Sequence, residues 1–160
     1  MTTVKGKTHL ISTGIVAENR KARFNYNITD TYEAGLSLTG AEVKSLRQGR
    51  ANITDGYATP DGNSILMNNI TIGKYDSESP YAPHTEKRPR ILLLNKTEIK
   101  RLIGLYNKEH ITIVPLKLYF NDKGLAKLLI GVGVGKNLVD KRQTIKEREW
   151  ARQKARLLKK

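Results

Sequence analysis

Polar and apolar positions first alternate over residues 26–38, where Tyr26, Ile28, Leu36 and Leu38 fall on one face of an extended strand. Gly35 interrupts that run and predicts a bulge or bend of the kind a small barrel requires. Directly afterwards comes Thr39-Gly-Ala-Glu42, a capping-box pattern. The threonine oxygen can accept from an early helix amide while Glu42 reaches back to the threonine. Val43 and Leu46 give this short helix a buried edge, and Gly49 ends it. Residues 51–59 and 64–72 read as two strands joined by the turn Pro60-Asp-Gly-Asn63. A short strand follows at 91–94. Asn95 then caps a helix in which Ile99, Leu102, Ile103 and Tyr106 keep a helical stripe, and Glu98 strengthens its start. Residues 111–120 and 125–134, joined by Asn121-Asp-Lys-Gly124, make the clearest hairpin in the chain.

Five or six short antiparallel strands with inserted helices are too few for a sandwich. They fit a mainly β fold built on a small, partly open barrel, and the oligonucleotide-binding (OB-like) design is the commonest of these. Residues 73–89 hold three of the five prolines and read as one long loop, because the chain on either side is too small to fold well alone. The expected organisation is a flexible basic N-terminus at 1–18, the barrel at 19–135 and a basic C-terminal tail at 136–160.

Charge sharpens this picture. Twenty-nine Lys+Arg against 15 Asp+Glu give +14, and most of the excess lies in the flanks. Residues 136–160 carry +7 and residues 1–23 carry +4, leaving +3 for the long middle. A polyanion relieves such self-repulsion by neutralisation and counterion release, so nucleic acid is the expected partner. The absence of cysteine excludes a disulfide scaffold, a zinc ribbon and a thiol nucleophile. The first residues are too polar for a signal peptide and too short in apolar run for a membrane span, so a soluble, cytoplasmic protein with no membrane partner is expected.

Nothing in the residues argues for an enzyme. Gly131-Val-Gly-Val-Gly-Lys136 resembles a phosphate loop, but a Walker loop needs glycine at 130 and Ser or Thr at 137, where Ile130 and Asn137 stand. A dinucleotide fingerprint needs glycine where Lys136 stands. These glycines are expected to let a barrel strand pass close to another backbone. His9, His84 and His110 are too far apart for metal-ligand spacing. Asp76 with Glu78, and Asp55 with Asp61, read as solvated turn residues. No serine sits in a nucleophile elbow.

The tail has excellent helix formers from Gln143 onward and neither Gly nor Pro. Arg148, Arg152 and Arg156 stand at i, i+4, i+8, a like-charge stripe that opposes an isolated helix by a few tenths of a kcal/mol per pair. Its apolar face, Ile145, Ala151, Ala155 and Leu158, is thin. A tail disordered when free and helical against a polyanion is therefore expected. Trp150 can stack on a base or cap an apolar patch.

Several stretches together resemble one family, the bacterial SsrA-binding (SmpB) proteins. They are Asn19-Arg-Lys-Ala-Arg23, Tyr32-Glu-Ala-Gly-Leu36, Gly40-Ala-Glu-Val-Lys-Ser-Leu-Arg47, Ala51-Asn-Ile53 and Leu92-Leu-Leu-Asn95. Leu116-Lys-Leu-Tyr119, Ile130-Gly-Val132, Asp140-Lys-Arg142 and Ile145-Lys-Glu-Arg-Glu-Trp150 continue the match to the C-terminus. The resemblance implies an RNA-binding protein without a cofactor that grips the transfer-RNA-like part of transfer-messenger RNA. It also implies delivery, together with elongation factor Tu, to stalled ribosomes for trans-translation. On this resemblance Glu33, Leu93, Asn95 and Lys127 lie on the RNA-binding surface, and charge and flanking position add Lys44, Arg47 and Lys136 as expected phosphate contacts. The tail would enter the decoding centre and the empty message channel, using Asp140, Lys141, Arg142, Lys146, Arg148, Trp150, Arg152, Lys154, Arg156 and the pair Leu157 and Leu158. Asn137 and Val139 depart from the family pattern, which has lysine and an aromatic or histidine there, so no base stacking is assigned to position 139. The competing reading is a ribosomal or ribosome-assembly protein that uses the same barrel on folded ribosomal RNA.

Overall fold

A computed structural model describes residues 10–74, 86–135 and 138–158. Among the described residues, nine strands and four helices follow in the order β1 (Gly14–Glu18), α1 (Ala22–Asn25), β2 (Tyr26–Leu36), α2 (Gly40–Arg47), β3 (Ala51–Asn52), β4 (Tyr57–Asp61), β5 (Ser64–Asn68), β6 (Thr71–Ile72), β7 (Arg90–Leu93), α3 (Lys96–Glu109), β8 (Thr112–Phe120), β9 (Ala126–Gly135) and α4 (Leu138–Leu158). Every pairing is antiparallel. The ring runs β8-β4-β5-β7-β2-β9 and closes where β9 pairs with β8. The expected mainly β barrel with inserted helices is thus the fold. Its weakest seam is β4 against β8, which rests on the single pair Ala58↔Ile113. β1 occupies the rest of that edge of β8, from Gly14↔Phe120 to Glu18↔Lys117. The sheet therefore begins at Gly14, inside the segment that the sequence pattern leaves outside the barrel, because β8 is longer than β4 and leaves an edge for β1 to cover.

The barrel is filled from alternate positions of its strands. Ala34 and Leu36, Ile65 and Met67, Leu92, Ile113, Leu118 and Phe120, and Leu128, Ile130 and Val132 are all buried inside it. Leu46 from α2 and Leu102 from α3 join this core, and Ile99, Ile103 and Tyr106 pack half-buried beside them, the stripe read from the sequence. A smaller cluster of Ala22, Val114 and Leu116 lies apart, with Tyr26, Ile28 and Leu129 packed around it. A register break between Pro115 and Lys117 makes Leu116 the extra residue of β8.

Local signals act as their chemistry dictates. Thr39 Oγ1 accepts from the Glu42 amide at 3.2 Å and Glu42 Oε1 accepts from the Thr39 amide at 3.0 Å, closing the capping box. In the β8–β9 turn, Asn121 Oδ1 accepts from the amides of Lys123 and Leu125 at 3.0 and 2.9 Å, and Gly124 takes φ +75°. Gly133 is where the glycine run matters: a Cβ there would stand 2.3 Å from the Asn27 carbonyl oxygen. The bend in β2 falls between Ile28 and Asp30, not at Gly35, which stays in register with both Leu93 and Lys127. The residues read as two long strands at 51–59 and 64–72 divide into four short ones, with β3 paired to β6 as a separate ribbon.

Helix α4 carries the tail. Arg142 and residues 145–158 are exposed along it. It meets the body where the Arg148 guanidinium stands over the Phe24 ring of α1, at 5.6 Å. Among the described residues no helix is long and apolar enough to cross a membrane, and no group of His, Asp and Glu could hold a metal ion.

Candidate nucleic-acid interface

Antiparallel register lines up one row of residues across five strands: Leu93 on β7, Gly35 on β2, Lys127 on β9, Tyr119 on β8 and Ile15 on β1. Directly opposed residues share a face, and the core claims the alternate positions Ala34, Leu36, Leu92, Leu118, Phe120 and Leu128. The row therefore faces outward. Leu93 and Ile15 are 57% and 54% exposed, large apolar side chains left in water. Gly35 is buried beneath Leu93, whose Cβ stands 3.2 Å from where a side chain at 35 would begin. A glycine here lets Leu93 lie flat on the sheet.

Glu33 lies two residues before Gly35 and so on the same face. The Tyr119 hydroxyl donates a hydrogen bond to Glu33 Oε2 across the intervening strand. Burial, and then that bond and the carboxylate's charge, push the Tyr119 phenol up to about 12. The tyrosine remains a neutral donor, and it fixes a carboxylate on an otherwise basic protein in one position.

Glu33, Leu93, Asn95 and Lys127 all line one open cleft of about 480 Å³, together with Ser64, Ile91, Glu98 and Ile99. These four come from β2, β7, the cap of α3 and β9. The cap places Asn95: Glu98 Oε1 accepts from its amide at 3.4 Å, which holds the chain turned out of β7 and into α3. A second groove shares Leu93 and Lys127 and continues past Leu125 to Leu38 and Val43. On the α2 side, Arg47 packs its guanidinium over Phe120 at 5.1 Å, and Lys44 is exposed one turn earlier on the helix. A carboxylate, an amide, an ammonium group and exposed leucines along one groove can pair with base edges, contact phosphates and take the flat faces of bases.

Of the other residues named from the sequence, Lys136 lies outside the described residues, as does 75–85 of the proline-rich loop. Asp140 and Lys141 are on the helical backbone of α4. Arg142, Lys146, Arg148, Arg152, Lys154 and Arg156 are exposed along it, as are Leu157 at 68% and Leu158 at 85%. Lys154 Nζ stands 5.5 Å from the Trp150 ring centre.

Sequence reasoning missed Arg90. It is wholly buried, and every donor of its guanidinium is used. Nε and Nη2 go to Glu42 Oε2 at 2.6 and 2.5 Å, Nη1 to the carbonyls of Ile70 and Arg88 at 3.1 Å, and Nη2 also to the Glu86 carbonyl at 3.0 Å. Arg88 joins from outside through Glu42 Oε1. Burial alone would raise the Glu42 carboxyl, but hydrogen bonds from Arg88, the Thr39 amide and Arg90 outweigh it and hold it below its ordinary value. This pair bolts the start of β7 to α2, and so sets where Leu93 emerges. The only signal in the sequence was Arg-Pro-Arg before an apolar strand, which reads as surface charge.

The whole-chain comparisons agree with one another. Residues 16–160 match the family model described as SmpB protein. A SsrA-binding protein of Sinorhizobium fredii (strain NBRC 101917 / NGR234) is 57% identical over 145 residues, covering 91% of each chain. One of Agrobacterium fabrum (strain C58 / ATCC 33970) is 55% identical over 155 residues, covering 97% of this chain and 96% of its own. A solved chain described under "tmRNA-SmpB: a journey to the center of the bacterial ribosome" is similar with a TM-score of 0.64 at 40% identity, covering 84% of this chain and 94% of that one.

Proposed function

Because the chain belongs to the SmpB protein family, we propose that it binds transfer-messenger RNA and serves trans-translation on the ribosome, gripping the transfer-RNA-like part of that RNA in the Glu33–Lys127 cleft. One observation carries the assignment of the cleft: four residues from separate segments, each implied by family resemblance, line one wall-to-wall surface. Glu33, pinned by Tyr119, accepts from a base amino group. Asn95 supplies both donor and acceptor, Lys127 meets phosphate, and Leu93 offers an apolar platform. Lys44, Arg47 and Lys136 extend the phosphate track.

The tail acts apart from this grip. Its exposed cations and its helix suit a narrow, phosphate-lined passage, which supports the reading that residues 136–160 follow the empty message channel from the decoding centre. The complex is delivered with elongation factor Tu, in the cytoplasm, and the protein does no chemistry of its own. The reading as a ribosomal or assembly protein is not favoured, since the relatives carry the SsrA-binding name along nearly their whole length.

Binding to the transfer-RNA-like portion of transfer-messenger RNA, beside an ordinary transfer RNA and a ribosomal fragment at several salt concentrations, tests the proposal. A preference that survives moderate salt supports it. Lys127→Ala and Leu93→Ala should each weaken that preference with the fold unchanged, whereas equal, salt-labile binding to all three RNAs would reject it.

A further inference from the structure

The run Asn19-Arg-Lys-Ala-Arg23 is not used by the cleft, yet it borders a separate pocket. That pocket, of about 400 Å³, lies between α1, the 54–59 segment, the end of α3 and the start of β8. It shares no lining residue with the Glu33–Lys127 cleft. Its volume falls in the range of about 300–1,000 Å³ usual for ligand sites.

Its wall has a marked chemical bias. Three of the seven tyrosines in the chain, Tyr26, Tyr57 and Tyr106, line it, and Tyr57 is 46% exposed. Asp55 lines it as well; its carboxylate is exposed and meets no cation or donor among the described residues, in a chain of net charge +14. Asn19 is 6% exposed; it gives its backbone amide to the Leu116 carbonyl at 2.8 Å and Nδ2 to the Pro115 carbonyl at 2.9 Å. That leaves its buried Oδ1 with no donor among the described residues. A buried acceptor without a donor is rare enough to call for a ligand or water. Outside the pocket, Arg20 and Lys21 are exposed on the backbone next to Asn19.

Aromatic walls, acceptors without donors and a basic rim together describe a site for a flat, donor-bearing ring attached to a phosphate. We infer that this pocket takes one unstacked guanine base of an RNA strand, with the Asp55 carboxylate accepting from the two adjacent donors of its Watson–Crick edge. Guanine alone among the four bases presents N1–H and N2–H side by side, a match for the two oxygens of a carboxylate. Adenine and cytosine offer an amino group next to an acceptor, which the carboxylate repels. Uracil offers a single imide donor between two acceptors. Tyr57 supplies a stacking face, and Arg20 and Lys21 take the flanking phosphates.

The test uses the full chain, isotope-labelled, titrated with GMP, IMP, AMP and UMP and then with short oligonucleotides holding a single guanosine. GMP should shift the amides of Tyr57 and Ala58 and the side-chain amides of Asn19 and Asn25, saturating at a concentration about tenfold lower than UMP. IMP, which lacks the N2 amino group, should fall between them. Asp55→Asn should erase the preference for GMP, and Tyr57→Ala should weaken all four nucleotides. Lys127→Ala should leave the GMP shifts intact, so that failure of the cleft and failure of this pocket are told apart. A guanosine inside an oligonucleotide should bind more tightly than free GMP; equal binding would overturn the RNA strand as its source. Equal shifts from all four nucleotides, or shifts confined to the Glu33–Lys127 cleft, would overturn the site.

Discussion

Tyr119 reaches across one intervening strand to hydrogen-bond Glu33, and the residue that pairs with Tyr119 on that strand is Lys127. The candidate cleft thus holds opposite charges on neighbouring strands, with a neutral phenol fixing the negative one. Tyr119→Phe should keep the barrel and loosen Glu33. A hydrogen bond of this kind contributes about 1 kcal/mol, so affinity for the transfer-RNA-like RNA should fall about fivefold, read by filter binding. The folded phenol titrates above its ordinary 10.0, at about 12. Its contribution to stability is complete below pH 10 and disappears as pH rises towards 12. The alkaline loss of stability in that window should therefore be smaller in Tyr119→Phe than in the parent.

Glu42 and Arg90 should dominate the response to acid. The Glu42 carboxyl sits below its ordinary 4.5, so its stabilising effect is present above that value and is lost as pH falls through the folded one. Glu42→Ala strands a buried guanidinium and should cost about 3–5 kcal/mol in urea unfolding at neutral pH. The acid sensitivity of the parent should be largely missing in that variant.

Gly133→Ala and Gly135→Ala form a matched pair. The first drives a methyl group into the Asn27 carbonyl, whereas the second has nothing within 4 Å. Thermal unfolding should show a loss of about 1–3 kcal/mol or more for Gly133→Ala, and little change for Gly135→Ala.

The tail should separate from the grip. A chain ending at Gly135 should bind the transfer-RNA-like RNA as the full chain does but fail to support tagging of stalled products. Circular dichroism of the 136–160 peptide should show little helix in water and a clear rise on adding RNA; high helicity without RNA would count against a tail that folds on its target.

What the sequence disclosed follows the range of the forces involved. The Thr39–Glu42 box, the Asn121–Gly124 turn and the stripe from Ile99 to Tyr106 are made within a few residues, and each stands as read. Effects carried across the barrel were hidden. Gly35 looked like a bend but is a flat seat for Leu93, which arrives from 58 residues further along. The true break, between Ile28 and Asp30, has no glycine to announce it. The burial of Arg90 depends on Glu42, Ile70 and Glu86 converging, and no local pattern encodes that meeting. The cleft residues were named from family resemblance, but the fact that they share one wall was visible only once β2, β7 and β9 were in register.

β2 also fixes a length. From Tyr26, in the wall of the tyrosine pocket, to Gly35, at the edge of the cleft, it advances by nine residue steps, or about 30 Å of extended chain. β9 accompanies it over that whole distance, from Gly135 back to Lys127. Whatever is held at the two ends is held at a set separation, as between the jaws of a caliper whose bar is itself part of a closed hoop.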